Sequence, residues 1–523
     1  MDKPMIYRFS AEHCDWTSTD PGMTKTVLGG KGAGLVMMAQ NGFSVPPGMT
    51  IPTTVCNHYA TLSPTGKAAL VSDILVQVMD GMEWLRDKFG YMPLVSVRSG
   101  APVSMPGMLD TILNVGMYGD VFPDWANRIG ERAAADSMRR LIQMLGSTAF
   151  GVPHGAFEQV LAEAKSAAGI EHDHQMGVAE LYELHNRYLA VFEAHTGKPF
   201  PMTLEGQLGA AIAAVFDSWN NPRAIEYRKL NNIDPAMGTA CTVQAMVFGN
   251  MGDDSGTGVL FTRNPSTGEN VMTGEFLQNA QGEDVVAGIR TPVNVDQMED
   301  VSEQWADIYL QLLKTCGKLE KAYADMVDIE FTVQQGELFI LQSRTGKRSA
   351  RAAFRIAVDL VEQGVIDVPA ALKRISKEQY KVARRPSVDP KFTEKPKWVG
   401  LPACPGVAVG KPVFSSLDAI NCAEPCVLIT HETTPEDIGG MAKAMGVLTK
   451  VGGFTSHASV VSRAMDKPCV VGCSELDMAS LKAAANNGEK VTICGSTGRV
   501  WVGLTVPVVD GSEDPYVSQV EEW

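Results

Sequence analysis

The chain has 523 residues, a formal net charge of -15 and 45% hydrophobic residues, enough for roughly three to four globular domains. That acidic balance argues against non-specific nucleic-acid binding, which leans on basic surface. A polyanionic ligand would therefore need locally concentrated Arg and Lys. No run of about 18 apolar residues occurs, so no membrane span is expected. The opening MDKPMIYRFS lacks the apolar core of a secretory signal. The ten cysteines include no C-x-x-C pair, which fits reduced thiols in a cytoplasmic protein better than disulfides or zinc. The four-residue spacings Cys422/Cys426 and Cys469/Cys473 carry little metal signal.

In chain order, a first block over 1–118 opens with Val27–Leu35, VLGGKGAGL. It reads as a glycine loop leading into a helix, with Lys31 in the loop. Leu94–Gly100, LVSVRSG, reads as a buried strand ending near Arg98. From 119 to 236 the apolar residues recur at three-to-four spacing, as through 131–145 and 177–194, which predicts an all-helical insertion.

Strands return over 237–346. Thr242–Phe248 and Val259–Arg263 flank the glycine-rich GDDSGTG at 252–258, and the pattern predicts a hairpin with a glycine tip. Such a tip lets backbone N–H groups form an anion cradle, to which Ser255 and Thr257 would add hydroxyls. It is not a Walker A loop, because the Lys-Ser/Thr ending is missing.

A second hairpin runs VDIEFTV and ELFILQSR across 327–344, turning near Gln335-Gly336. With a three-residue turn, Glu330 would face Gln342 and Asp328 would face Arg344. Val327, Ile329, Phe331, Phe339 and Leu341 would pack behind. Hard oxygen ligands beside a guanidinium suit Mg²⁺ and nucleotide phosphates. A solvated strand face with one ion pair is the plainer alternative. With Lys31 and Arg98, the set suggests ATP with magnesium.

Residues 347–397 read as basic helices ending in a proline-punctuated linker near 384–397. The block 398–508 alternates short apolar runs with glycine turns, as a compact α/β domain would. It holds Gly452–Arg463, GGFTSHASVVSR. Thr455 and Ser456 are helix N-cap candidates, and His457 would sit where free N–H groups favour negative charge. A neutral imidazole there is a competent nucleophile and phosphoryl carrier. The plainer alternative is a capping turn with an incidental histidine. The acidic tail, 509–523, is expected to be poorly packed.

Six stretches occur in order: LGGKGAGL followed by PPG, VRSGAPVSMPGMLDTILNVG, VFGNMGDDSGTGVLFTRNPSTGE, NAQGEDVVAGIRTP, DIEFTVQQGELFILQSRTGKR and GGFTSHASVVSRAMDKPCVVGC. Over nearly its whole length the chain resembles the pyruvate, phosphate dikinase family of phosphoenolpyruvate-utilising enzymes. The resemblance implies a multidomain α/β (α+β) protein. An ATP-grasp domain would be built from the first and third blocks around the helical insertion, followed by a swivelling β/α phosphohistidine domain. It implies that His457 is the phosphoryl carrier that attacks the β-phosphorus of ATP. Lys31, Arg98 and Arg344 match phosphate ligands, with Arg98 and Arg344 also catalytic. Asp328, Glu330 and Gln342 match the nucleotide and metal face, Glu330 and Gln342 holding Mg²⁺. Ser255, Gly256, Thr257 and Gly258 match the phosphate-covering loop. The Gln244–Val247 strand, with Gln244 and Met246, matches the adenine side. Thr455 matches a position through which a regulatory kinase controls some plant members.

Two departures stand out. Val451 occupies a position where the family usually has Arg. Family members also continue into a (β/α)₈ barrel that binds pyruvate and phosphoenolpyruvate, whereas this sequence stops at Trp523. The expectation is therefore a truncated or split dikinase of the paired-acceptor phosphotransferase type (EC 2.7.9). It would convert ATP to AMP, with phosphate going to pyrophosphate, and hand the phosphoryl group to a separate barrel protein. The other two readings are delivery to a different acceptor and a non-catalytic nucleotide-sensing remnant. No nucleic-acid or membrane partner is expected, and a homodimer is one expected assembly.

Overall fold

The computed structural model describes residues 5–103, 105, 107–170, 173–281, 292–384, 387–388, 392–509 and 514–523. Most of the NAQGEDVVAGIRTP stretch, and Ser104 and Pro106 of the SMPGM loop, lie outside the described residues. The chain divides into two compact units, one of residues 1–256 with 332–343 and the other of 257–331 with 344–523.

The first unit is built on six strands: β1 Tyr7–Ser10, β2 His13–Cys14, β3 Gly48–Ile51, β4 Val95–Gly100, β5 Thr111–Val115 and β6 Ala240–Ala245. They are ordered β2-β1-β3-β6-β4-β5 with every pair antiparallel. β6 therefore lies between β3 and β4, although more than a hundred residues of helix precede it. Its Cys241 and Val243 pack with Met49, Ile51, Val95 and Val97, all essentially inaccessible. The helices Pro64–Phe89 and Leu204–Ser218 join the same core. The former starts on a Ser63 cap and stops at Gly90 in the left-handed conformation, the usual pairing of polar N-cap and glycine C-cap. The insertion is helical as expected, with Glu131–Phe150, His154–Ala168 and Val178–Thr196 among its helices. Leu141, Leu145, Leu184, Tyr188 and Phe192 fill its interior.

The second unit carries β7 Gly256–Phe261, β8 Thr273–Gln278, β9 Val293–Asn294 and the start of β10 Val327–Gln334, ordered β10-β7-β8-β9. β11 Glu337–Thr345 returns along β10, and residues 332–343 of this hairpin group with the first unit. The expected hairpin through GDDSGTG does not form, because β6 and β7 belong to different sheets. The glycine stretch is instead a crossing between units, which a local alternation of strand and turn cannot distinguish from a hairpin.

The turn of the β10–β11 hairpin also differs. It has two residues, Gln335 (φ 50°) and Gly336 (φ 80°), rather than three. Losing one turn residue flips which side chains of the returning strand face inward. Leu338 and Ile340 are buried there, whereas Phe339 and Leu341, expected behind the sheet, are half-buried.

Helices Ala350–Glu362, Val368–Arg374 and Lys377–Ala383 follow, then the short strand β12 Ser387–Val388. An eight-stranded sheet comes next: β13 Trp398–Val399, β14 Leu401–Cys404, β15 Val407–Val413, β16 Cys426–Thr430, β17 Gly446–Thr449, β18 Cys469–Val471, β19 Val491–Cys494 and β20 Arg499–Val502. Its order is β13-β20-β19-β15-β16-β17-β18-β14, with β15 to β18 parallel. β21 Val508–Val509 then pairs antiparallel with β12, so the chain enters and leaves this sheet through one two-stranded ribbon. The described end of the tail is packed. Pro515–Glu522 is a helix whose Val517 and Val520 pack on Phe354, Val358 and Ala383, while Tyr516 lies under the Arg355 guanidinium. Acidic composition hid an amphipathic helix with a buried stripe.

Candidate functional site

In the first unit, the helix Pro21–Gln40 is two helices broken at Gly29 (φ 68°). A Cβ at Gly29 would collide with the Gly100 carbonyl, so only glycine lets this turn lie against the end of β4. The Gly30 N–H closes the approach on the Ala101 carbonyl at 2.9 Å. Lys31, in the first turn of the second helical piece, is thereby set beside Gly100, two residues beyond Arg98 on β4. Arg98 Nη2 donates to Gln342 Oε1 at 3.2 Å. Gln244 spends its amide on the Pro46 carbonyl, and Met246 follows β6 half-buried. The fold thus brings Lys31, Arg98 and Gln342 together.

The glycine stretch behaves differently. Ser255 is fully buried; its hydroxyl bonds Asp254 and accepts the Gln335 N–H at 2.9 Å. The Gly336 N–H meets the Asp254 carbonyl. Gly256 and Gly258 are buried in β7, where the Thr257 hydroxyl donates to the Phe331 carbonyl. The hydroxyls expected to face an anion hold the loop to its own protein.

In the second unit, Arg344 Nε donates to Asp328 at 2.8 Å, with Glu330 4.0 Å from its Nη2. The Asp328 charge keeps the guanidinium protonated, while burial pushes the Asp328 carboxyl up. Oxygen donors of this kind, few and beside a cation, fit Mg²⁺, which keeps most of its ligands as water and phosphate oxygen. Among the described residues no cluster of three or more His, Cys, Asp or Glu forms a closed metal cage.

The histidine turn is the most fully determined part. Ser456 is the N-cap and His457 the first residue of the helix His457–Met465. His457 Nδ1 lies 3.0 Å from the Thr433 hydroxyl. Its Nε2 is buried without a hydrogen-bond partner among the described residues. Burial lowers the imidazole pKa, with the Asp437 charge opposing, so the ring is neutral near pH 7.

Three further residues hold the turn, and sequence reasoning missed all of them. Glu275, buried in β8, accepts the Phe454 N–H at 3.2 Å and the Thr455 hydroxyl at 3.4 Å. A Cβ on Gly453 would strike that carboxylate, which explains the second glycine of the pair. Buried Arg463 donates to the Ala403 and Phe454 carbonyls and lies 5.3 Å over the Phe261 ring. Thr433 completes the set. The available signals were a lone carboxylate inside the strand segment TGEFLQ, and an arginine one heptad after Ser456.

The second unit thus presents a carboxylate–guanidinium pair on a strand and a neutral histidine at a helix start. Residues 65–306 and 293–364 match the family described as pyruvate phosphate dikinase, AMP/ATP-binding domain. Residues 422–498 match the PEP-utilising enzyme, mobile domain. The chain belongs to the pyruvate, phosphate dikinase family. It is 44% identical over 95% of its length to pyruvate, phosphate dikinase 2 of Zea mays, and equally to the chloroplastic pyruvate, phosphate dikinase of Mesembryanthemum crystallinum. Pyruvate, phosphate dikinase 1, chloroplastic, of Oryza sativa subsp. japonica matches at the same identity and share. The chain spans 58% of the first of these relatives and 54% of the other two, about half their length. Among the described residues no helix is long and apolar enough to cross a membrane.

Proposed function

We propose that this chain transfers the β-phosphoryl group of ATP to His457, as the nucleotide half-reaction of a dikinase. The observation that carries this reading is the imidazole itself: neutral, with Nδ1 engaged by Thr433 and Nε2 unpartnered. If Nδ1–H donates to the Thr433 oxygen, the lone pair rests on Nε2, the atom that attacks phosphorus. Lys31, Arg98 and Arg344 stabilise charge on the phosphates. Asp328, Glu330, Gln342, Gln244, Met246 and the 255–258 stretch complete the nucleotide site on the family pattern. Mg²⁺, held by Glu330 and Gln342, would supply charge neutralisation on the phosphates. Positioning and charge stabilisation carry the rate in such transfers.

The domain division 1–118, 119–236, 237–346, 347–397, 398–508 and 509–523 belongs to the same reading. So does a cytoplasmic location, passage of the phosphoryl group to pyruvate on a separate barrel protein, and phosphate as acceptor of the γ-phosphoryl group. Thr455, hydrogen-bonded to Glu275, is the regulatory candidate.

The test uses ATP labelled separately at the β and γ positions. Wild-type protein retains β-label, and His457→Ala retains none. Absence of retained label under any condition sinks the reading. Adding pyruvate with and without a candidate barrel protein then separates dikinase coupling from delivery to another acceptor.

A further inference from the structure

Among the described residues, six other than glycine have positive φ: Asn114, Asn232, Asn279, Ala324, Gln335 and Asp466. Five lie at turns or just past the ends of helices and strands, where that conformation terminates an element. Asn114 alone lies inside a strand, β5, at φ 61°. The register against β4 shifts there, Val95 facing Val115 but Val97 facing Ile112. β5 thus carries one extra residue, a bulge of the kind that re-aims a group beside a site.

What the bulge re-aims is a backbone donor. The Asn114 N–H points not to a sheet carbonyl but to the Met246 sulfur, at 3.0 Å. Met246 is also held by its own N–H, on the Leu94 carbonyl at 2.9 Å. The Asn114 side chain is wholly buried, and neither amide atom has a partner among the described residues. A left-handed non-glycine residue and an unpaired buried amide both cost stability. Strain of this kind collects at functional sites.

We propose that Asn114 is a positioning residue whose left-handed backbone pins the Met246 thioether and so sets how the first unit receives a purine base. The proposal rests on the nucleotide reading above. A methionine has three side-chain torsions and a soft sulfur that packs well against aromatic faces. Pinning its sulfur from behind removes that freedom before the base arrives and leaves the half-buried end of the side chain in one orientation.

The test labels the methionine methyl groups with ¹³C and records their NMR signals without ligand, assigning Met246 by its loss in Met246→Leu. Asn114→Gly supports positive φ and keeps the N–H, so the Met246 signal should stay. Asn114→Ala disfavours that backbone, so the signal should move. In parallel, binding of ATP is compared with binding of tripolyphosphate. Met246→Leu and Asn114→Ala should weaken ATP by up to about tenfold, the range of a lost sulfur–aromatic contact, with tripolyphosphate unchanged and Asn114→Gly near wild type. An unmoved Met246 signal in Asn114→Ala, or a wild-type ATP-to-tripolyphosphate ratio in folded Met246→Leu, overturns the proposal. If Asn114→Ala does not fold, the Gly and Leu variants still decide it. Wild-type protein that binds neither probe overturns the nucleotide reading instead, because the methyl signals are read without ligand.

Discussion

The histidine turn and the 249–258 glycine stretch look alike as strings, since both set glycines against hydroxyl side chains. In the structure they divide. Around the histidine, Thr455 has Glu275, Ser456 caps the helix and accepts the Ser459 N–H, and Nε2 of His457 is buried without a partner among the described residues. In the glycine stretch, Ser255 and Thr257 are themselves the satisfied groups. What such a segment can offer a ligand is its backbone. The histidine turn leaves a side-chain nitrogen unengaged, whereas the glycine stretch engages its side-chain hydroxyls.

The comparison breaks first at His457. Replacing it with Ala should abolish retained label while leaving the fold intact, because the side chain is only half-buried; thermal unfolding alongside the labelling assay checks both halves. Next comes the clamp. Glu275→Ala leaves the Phe454 N–H and Thr455 hydroxyl without their acceptor, a loss of roughly 1–3 kcal/mol, and should slow phosphorylation about tenfold or more. Gly453→Ala strikes the same carboxylate and should act alike. The double variant should cost little more than either single one, since groups in direct contact are not additive.

Thr433→Val removes the Nδ1 partner. It should lower the labelling rate by about tenfold, the scale of one hydrogen bond, and alter the rate's pH profile, which a merely structural role would not do. The profile itself carries a sign. Burial lowers the folded His457 pKa below the ordinary 6.5, so the neutral nucleophile should persist below pH 6.5 and the acid limb should fall under that value. By linkage the unfolded chain takes up its proton first. This histidine's contribution to stability is thus present above 6.5 and declines as pH drops through 6.5 toward the folded value. The smallest effect is expected at Ser255→Ala, which should cost about 1 kcal/mol of stability and leave ATP affinity within about twofold.

The parts of this architecture that depend on neighbouring residues were legible in the sequence. The helical insertion, the glycine break before Lys31 and the helix start at His457 follow from periodicity, caps and backbone permissiveness. What depends on distant pairing was not. β6 lies between β3 and β4, and periodicity carries no information on that choice. The missing third residue in the Gln335-Gly336 turn exchanged the inward face of β11, yet Arg344 still reaches Asp328. Glu275 could not be found from its own surroundings, because its partners lie almost 180 residues further on. The tail helix was misread because its charge was weighed and the spacing of Val517 and Val520 was not.

The most direct test of the central claim is site mapping of the phosphoryl group after incubation with ATP, Mg²⁺ and phosphate. Peptides would be kept at alkaline pH to preserve phosphohistidine, with the nucleotide product measured in the same sample. The account predicts one phosphoryl group on His457 and an equivalent amount of AMP. Modification at another residue, or ADP as the product, would contradict it.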